Sequence, residues 1–102
     1  MQEIALYLQN NYNREITLQE ISDQFYLNRD YISRRFKQEF DETIVNFISK
    51  IRIDKAKKLL IQADMSIATI AQTVGYEDEK YFSRVFKKYV NMTPKEFRNQ
   101  NG

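Results

Sequence analysis

The feature of this chain that most narrows its fold is an internal repeat. Residues 18–41, LQEISDQFYLNRDYISRRFKQEFD, return as residues 67–91, IATIAQTVGYEDEKYFSRVFKKYVN. Ile21 pairs with Ile70 and Phe25 with Val74. After one extra residue in the second turn, Tyr31, Ser33, Arg34, Phe36 and Lys37 pair with Tyr81, Ser83, Arg84, Phe86 and Lys87. Each copy reads as a short helix, a tight turn and a longer helix, the outline of a helix-turn-helix unit. At 102 residues the chain is long enough for one compact domain with a modest core. The two units must therefore share a single domain.

Start and stop signals agree with that division. Two Gly and one Pro leave little turn chemistry for strands, and Lys, Glu, Gln, Leu and Ile run in long stretches, so the chain reads as all-α. Residues 2–12 carry Ile4, Leu8 and Tyr12 at helical spacing. Thr17 and Glu20 form a capping box for a second helix with Leu18, Ile21 and Phe25 on one face. Asn28 caps a third, from about Arg29 to Phe40, whose apolar stripe is Ile32, Phe36 and Phe40. Thr43 begins a long fourth helix that turns Phe47, Ile48, Ile51, Ala56, Leu59 and Leu60 inward. Ser66 caps a short fifth helix with Ile67, Ile70, Ala71 and Val74 apolar, and Gly75 ends it. Asp78 caps a sixth, carrying Phe82, Phe86 and Val90. Thr93-Pro94-Lys95-Glu96 starts a last one, with Pro at its first position. The expected architecture is a single domain, 1–102, of about seven helices. It has a first helix-turn-helix at about 17–40, a linker helix at about 43–62, a second helix-turn-helix at about 66–90, and a final short helix at about 94–99.

The inventory removes most chemistry. Without Cys or His there is no thiol nucleophile, disulfide, zinc finger, histidine metal site or His-based triad. No cofactor or metal is expected, and the chain does not read as an enzyme. Glu77, Asp78 and Glu79 form its densest acidic cluster and read as a helix cap with favourable dipole placement, not as a catalytic pair. No apolar run approaches the ~18 residues of a membrane span, and MQEIALYLQNN lacks a basic segment followed by an apolar core. A cytoplasmic location is expected, with no membrane partner.

The second helix of each copy carries the functional signal. With Ile32, Phe36 and Phe40 buried, Asp30, Ser33, Arg34 and Lys37 fall on one outward stripe; the second copy gives Lys80, Ser83, Arg84 and Lys87. Arg pairs bidentately with guanine, Ser bonds several base edges, and Glu79 suits a cytosine amino group, so both stripes fit the major groove of DNA. Either stripe alone reads as an ordinary solvated helix face; their recurrence on the same unit argues otherwise. The net charge of +2 looks indifferent to polyanions but conceals strong segregation. Residues 29–37 carry +3, residues 50–58 +4 and residues 80–88 +4, which leaves −9 on the rest of the chain.

Residues 57–98 carry KKLL, then Ile70-Ala71, Val74-Gly75-Tyr76, Tyr81-Phe82-Ser83-Arg84, Phe86-Lys87-Lys88 and Thr93-Pro94 followed by Phe97-Arg98. This series resembles the signature of the AraC/XylS family of bacterial transcription regulators. Tyr31-Ile32-Ser33-Arg34 with Phe36-Lys37 is similar to that family's more variable first motif, and Ile51-Arg52-Ile53 with Ala56 and Leu59-Leu60 resembles its linker helix. The resemblance spans almost the whole chain. It implies sequence-specific binding of double-stranded DNA in transcription regulation, with two recognition helices in successive major grooves of a promoter site. Base-reading positions then fall on Asp30, Ser33, Arg34, Glu79, Lys80, Ser83 and Arg84, and phosphate contacts on Arg29, Lys37, Arg52, Lys55, Lys87 and Lys88. RNA polymerase is implied as a protein partner. Three residues depart from the family pattern. Tyr26 stands where the first turn often has Gly, a costly exchange at positive φ. Asp41 and Asn91 replace the Gly often found after each recognition helix, and both residue types tolerate the left-handed conformation.

A protein-binding helical module is the rival reading, with the basic faces meeting an acidic partner. Counterion release separates the two, since DNA binding predicts a fall of log K with log salt of about −0.9 per phosphate contacted. A linker helix of ~18 residues would be roughly 27 Å long, whereas successive major grooves on one face lie about 34 Å apart. The duplex is therefore expected to bend to meet both helices.

Overall fold

The computed structural model describes residues 1–101, and among them every regular element is helical: α1 (Gln2–Asn11), α2 (Leu18–Phe25), α3 (Arg29–Phe40), α4 (Ile44–Gln62), α5 (Ile67–Thr73), α6 (Glu79–Val90) and α7 (Pro94–Asn101). The last helix runs two residues beyond the expected end at 99. Side-chain caps place the helix starts. Asn28 Oδ1 accepts from the Asp30 and Tyr31 N–H groups at 2.8 and 3.2 Å, and Asp78 Oδ1 accepts from Lys80 and Tyr81 at 2.9 and 3.4 Å. Thr43 and Ser66 cap α4 and α5, each at 3.1 Å. Each such cap is worth about 1 kcal/mol to its helix. At Thr93 the box is reciprocal: its hydroxyl accepts from the Glu96 N–H at 3.1 Å while its own N–H donates to Glu96 Oε1 at 2.8 Å.

The Thr17 box is only half made. Thr17 Oγ1 accepts from the Glu20 N–H at 3.0 Å, but the Glu20 carboxylate faces Arg14, whose Nη1 and Nη2 donate to it at 3.0 and 2.6 Å, and it also accepts from the Tyr7 hydroxyl. A bidentate guanidinium outcompetes one backbone N–H for the same oxygens. The cluster ties α1, the following loop and α2 together.

Two apolar clusters form the interior. The first gathers Ile4, Ala5 and Leu8 of α1, Ile21 of α2, Ile32 and Phe36 of α3, and Ile48 of α4. The second gathers Ile53, Ala56 and Leu60 of α4 with Ile70, Ala71, Val74, Tyr76, Phe82 and Phe86. The long helix α4 belongs to both, and Ile53, not Ile51, is the residue it buries at the changeover. At about 100° per residue, the five steps from Ile48 to Ile53 turn the buried face by about 140°. The expected single inward stripe is thus two stripes on different sides of one helix.

The repeat extends further than the aligned segments. Thr43 and Thr93 cap α4 and α7 at equivalent places, and Phe47 and Phe97 follow each by four residues. Phe36 meets Phe47 edge-on at 5.2 Å between ring centroids, and Phe86 meets Phe97 the same way at 5.6 Å. Asp41 (φ 59°) and Asn91 (φ 67°) close α3 and α6 in the left-handed conformation, with their N–H groups donating to Lys37 and Lys87 carbonyls. Both ends hold without Gly.

The turns inside the two motifs differ. Tyr26 takes φ 56°, ψ 42° after α2, whereas Gly75 takes φ 107° after α5. A Cβ on Gly75 would lie 2.9 Å from the Tyr12 carbonyl oxygen and 3.0 Å from Arg52 Nε, so that corner has room for Gly alone.

The Glu20 cluster gives a pH signature. Arg14 first, then the Tyr7 hydroxyl, hold the Glu20 carboxyl at about 2, down from 4.5. A depressed carboxyl contributes stability that is present above its unfolded pKa and lost as pH falls through the folded one. Glu20→Gln is expected to lower the thermal midpoint at pH 7, by a modest amount because the pair is solvent-screened. The gap to the parent should narrow below pH 4.5 and close near pH 2. A gap independent of pH would show that the ion pair is not its source.

Candidate nucleic-acid interface

Burial of Ile32 and Phe36 turns the opposite side of α3 outward. Arg29, Asp30, Ser33, Arg34 and Lys37 are all exposed there. Four of them, Asp30, Ser33, Arg34 and Lys37, line one open groove of about 620 Å³ with Gln38 and Thr43. Burial of Phe82 and Phe86 does the same for α6, leaving Glu79, Lys80, Arg84, Lys87 and Lys88 exposed and Ser83 half-buried. Arg84 opens onto a second, larger cleft of about 900 Å³ between the α1–α2 loop, the linker helix and the second motif, whose walls include Arg14, Val45, Ser49 and Tyr81; Glu79, Lys80 and Ser83 lie outside it. Lys55 is exposed on α4. Tyr31 and Tyr81 stand beside these stripes and are exposed, at 40% and 52%.

The cations of these two helices are unspent. Among the described residues the ion pairs are Arg14–Glu20, Lys50–Glu42 at 2.5 Å and the N-terminal ammonium with Glu39 at 3.9 Å; none uses a Lys or Arg of α3 or α6. Glu42 raises the Lys50 ammonium above its ordinary value through that bond. Bonds from Thr93 lower the Glu96 carboxyl. Glu42 and Glu96 are thus held by neighbours, and the Arg and Lys stripes face solvent.

Arg52, expected at phosphate, makes its contacts within the protein. Its Nε donates to the Tyr12 carbonyl at 2.7 Å and its Nη2 to the Arg14 carbonyl at 3.0 Å, while the guanidinium carbon lies 4.9 Å from the centre of the Tyr76 ring. The side chain is spent inside the protein, joining the end of α1, the linker helix and the turn of the second motif. Burial pushes the Tyr76 phenol up, and its hydroxyl has no hydrogen-bond partner of good geometry. Two further ties reach α4: the Tyr89 hydroxyl donates to Asn46 Oδ1 at 3.2 Å, and Arg98 Nε donates to the Leu60 carbonyl at 3.0 Å. These bonds link residues about 40 positions apart, and no local pattern announces them.

Gln38, which the sequence does not single out, and Thr43, expected only to start α4, join the first groove. Gln38 was recoverable, because the repeat offset that equates Phe36 with Phe86 also equates it with Lys88. Among the described residues no cluster of three or more acidic side chains could hold a metal ion, and no helix is long and apolar enough to cross a membrane.

A family described as a helix-turn-helix domain matches residues 21–100. The chain is 42% identical over 82 residues to the uncharacterized transcriptional regulatory protein YesN of Bacillus subtilis, covering 78% of this chain and 22% of that one. It is 38% identical over 95 residues to the xylose operon regulatory protein of Escherichia coli K12, covering 93% and 24%. Its fold is similar to the C-terminal domain of AraT, a response regulator from Geobacillus stearothermophilus, with a TM-score of 0.94 at 31% identity over 97% of this chain and 83% of that one. The chain thus spans about a quarter of the length of these two curated relatives.

The Arg52 clamp can be separated from surface charge by urea unfolding. Arg52→Ala is expected to cost about 2 kcal/mol, the scale of hydrogen bonds made by a charged group, and Arg52→Lys to recover only part, since an ammonium lacks the fork. Lys55→Ala, on an exposed face, should stay within about 0.5 kcal/mol of the parent. Equal losses at Arg52 and Lys55 would remove the clamp's structural role.

Proposed function

Because the chain belongs to the AraC-type helix-turn-helix family, whose members are DNA-binding transcription regulators rather than enzymes, we propose that it reads a promoter site with α3 and α6 in successive major grooves of one duplex. The observation that carries this reading is the recurrence of one outward stripe, a hydroxyl residue beside Arg and Lys without ion-pair partners, on two structurally equivalent helices. Solvated helix faces need no such repetition. A major groove does, because Arg and Ser meet base edges there while flanking Lys and Arg neutralise phosphates.

In this reading Asp30, Ser33 and Arg34 face bases from the first motif and Glu79, Lys80, Ser83 and Arg84 from the second. Arg29, Lys37, Lys55, Lys87 and Lys88 meet phosphates, and Arg52 leaves that set to fix how the motifs sit relative to each other. The domain division expected from the sequence, two reading units on one linker helix, is part of the proposal. So are RNA polymerase as a protein partner, on a face the duplex leaves free, and a cytoplasmic site of action.

Selection of sites from random duplex DNA tests the assignment. Arg84→Ala is expected to cost roughly 1–3 kcal/mol and to relax preference at one or two base pairs, whereas Lys55→Ala should weaken all sequences alike. Equal, sequence-independent losses for both would argue against base reading by Arg84. A second prediction concerns shape. The 19 residues of α4 span about 28 Å, less than the ~34 Å between grooves, so the bound duplex should bend towards the protein, as measured by circular permutation of the site. A straight duplex with both helices engaged would refute it.

A further inference from the structure

Tyr26 combines a left-handed backbone with full exposure, and the fold accounts for neither. Among the described residues three non-Gly residues take positive φ: Tyr26, Asp41 and Asn91. Asp and Asn visit the left-handed region with short side chains that bond locally, whereas a bulky ring there is strained. Packing can offset such strain, but Tyr26 is 94% exposed. The equivalent corner of the second motif shows the contrast. Gly75 is walled in by Tyr12 and Arg52, so the fold itself forbids a side chain. At Tyr26 the corner is open, and Gly would close α2 with less strain than Tyr.

Position supplies a reason for the ring. Tyr26 lies in the turn between α2 and α3, two residues before the Asn28 cap and three before Arg29. When a helix-turn-helix docks, the first residues of the second helix reach base edges while the first helix crosses the backbone. The turn between them therefore lies against the sugar-phosphate chain at the groove's edge. From Gln24 to Arg29 there is no acidic residue, and Arg29 is the one charge. A phenol offers a hydroxyl donor to a phosphate oxygen and a ring face to deoxyribose. Strain kept at an exposed site with no packing to repay it is the pattern of a residue held for binding.

We propose that Tyr26 is a DNA-contact residue of the first motif, seated on the backbone beside the groove that α3 enters; the inference rests on the docking proposed above. Its contact is with phosphate and sugar, so it adds affinity with little base preference.

Tyr26→Gly and Tyr26→Asn test it, with thermal unfolding and duplex affinity measured on each, the duplex being the site selected by the parent protein. Both variants relieve or tolerate the left-handed turn, as Gly75, Asp41 and Asn91 do. The expected result is opposite signs: a thermal midpoint equal to or above the parent's, with affinity lower by roughly fivefold to tenfold for every sequence. Tyr26→Phe should lose part of that, and ethylation of one backbone phosphate flanking the first half-site should cease to interfere in the Gly variant. Unchanged or tighter binding by the Gly or Asn variant overturns the inference, which also covers the case in which the ring serves a protein partner. So does a lower midpoint accompanying weaker binding, since the ring would then be structural. Arg84→Ala keeps the two proposals apart: if it loses base preference while the Tyr26 variants bind as the parent does, the docking stands and the Tyr26 contact falls. If the parent selects no duplex at all, both fall.

Discussion

The arrangement of this molecule depends on α4 burying two different faces along its length. Ile48 faces the first core and Ile53 the second, about 140° apart around the helix. One rigid element thereby serves as a wall of both motifs and fixes the angle between them. Arg52 stands in the changeover, where neither core claims the side chain, and spans from the carbonyls of Tyr12 and Arg14 to the ring of Tyr76. A guanidinium can do this because its planar fork satisfies two acceptors while its face packs on an aromatic ring. The free carbonyls at a helix end are natural targets for such a cation. Arg98 makes a similar use of Leu60 and Ala63 at the far end of α4. The separation of the two reading helices is therefore a property of packed backbone and not of a flexible joint.

The two motifs are alike where local chemistry governs and unlike where tertiary contact does. Caps, apolar spacing and left-handed helix ends recur with the same bonds, down to Asn28 and Asp78 each accepting from two successive N–H groups. The inner turns diverge because one is covered and the other is not. Gly75 lies under Arg52 and against Tyr12, so the second motif is braced by the linker. The first is braced instead by the cluster of Tyr7, Arg14 and Glu20 at the opposite end of α2, which leaves its own turn bare. A duplicated unit has thus been placed in two environments, and the differences mark which environment each copy met.

That division also explains what could be read from the sequence. Helix starts were legible because Thr, Asn, Ser and Asp act on N–H groups two or three residues away. The outward stripes of α3 and α6 followed from the burial of Phe36 and Phe86 and gained weight from their repetition. The contacts of Arg52 are not legible, because a cation on a basic helix looks like a phosphate ligand and its carbonyl partners lie about 40 residues away in the chain. A single periodic stripe points to Ile51, whereas a helix with two buried faces buries Ile53. The half-formed Thr17 box has the same origin: the motif was present, but Arg14 offered Glu20 a better bond than the backbone did.

Charge shows how folding turns a weak property of the composition into a usable one. Summed over the chain, the imbalance is only +2. Folding pairs Glu20 with Arg14 and Glu42 with Lys50, and it commits Asp78 and Glu96 to helix starts. It leaves Arg34, Lys37, Arg84 and Lys87 facing solvent on two equivalent helices. A polyanion therefore meets the stripes and not the sum. Because unpaired, exposed cations exchange mobile counterions for phosphates at no cost in broken ion pairs, the entropic gain of counterion release is available to α3 and α6 in full. Arg52 is bound to carbonyls of the protein itself. Its structural contribution is a tie between the end of α1, the linker helix and the second motif, which fixes the angle between the two stripes.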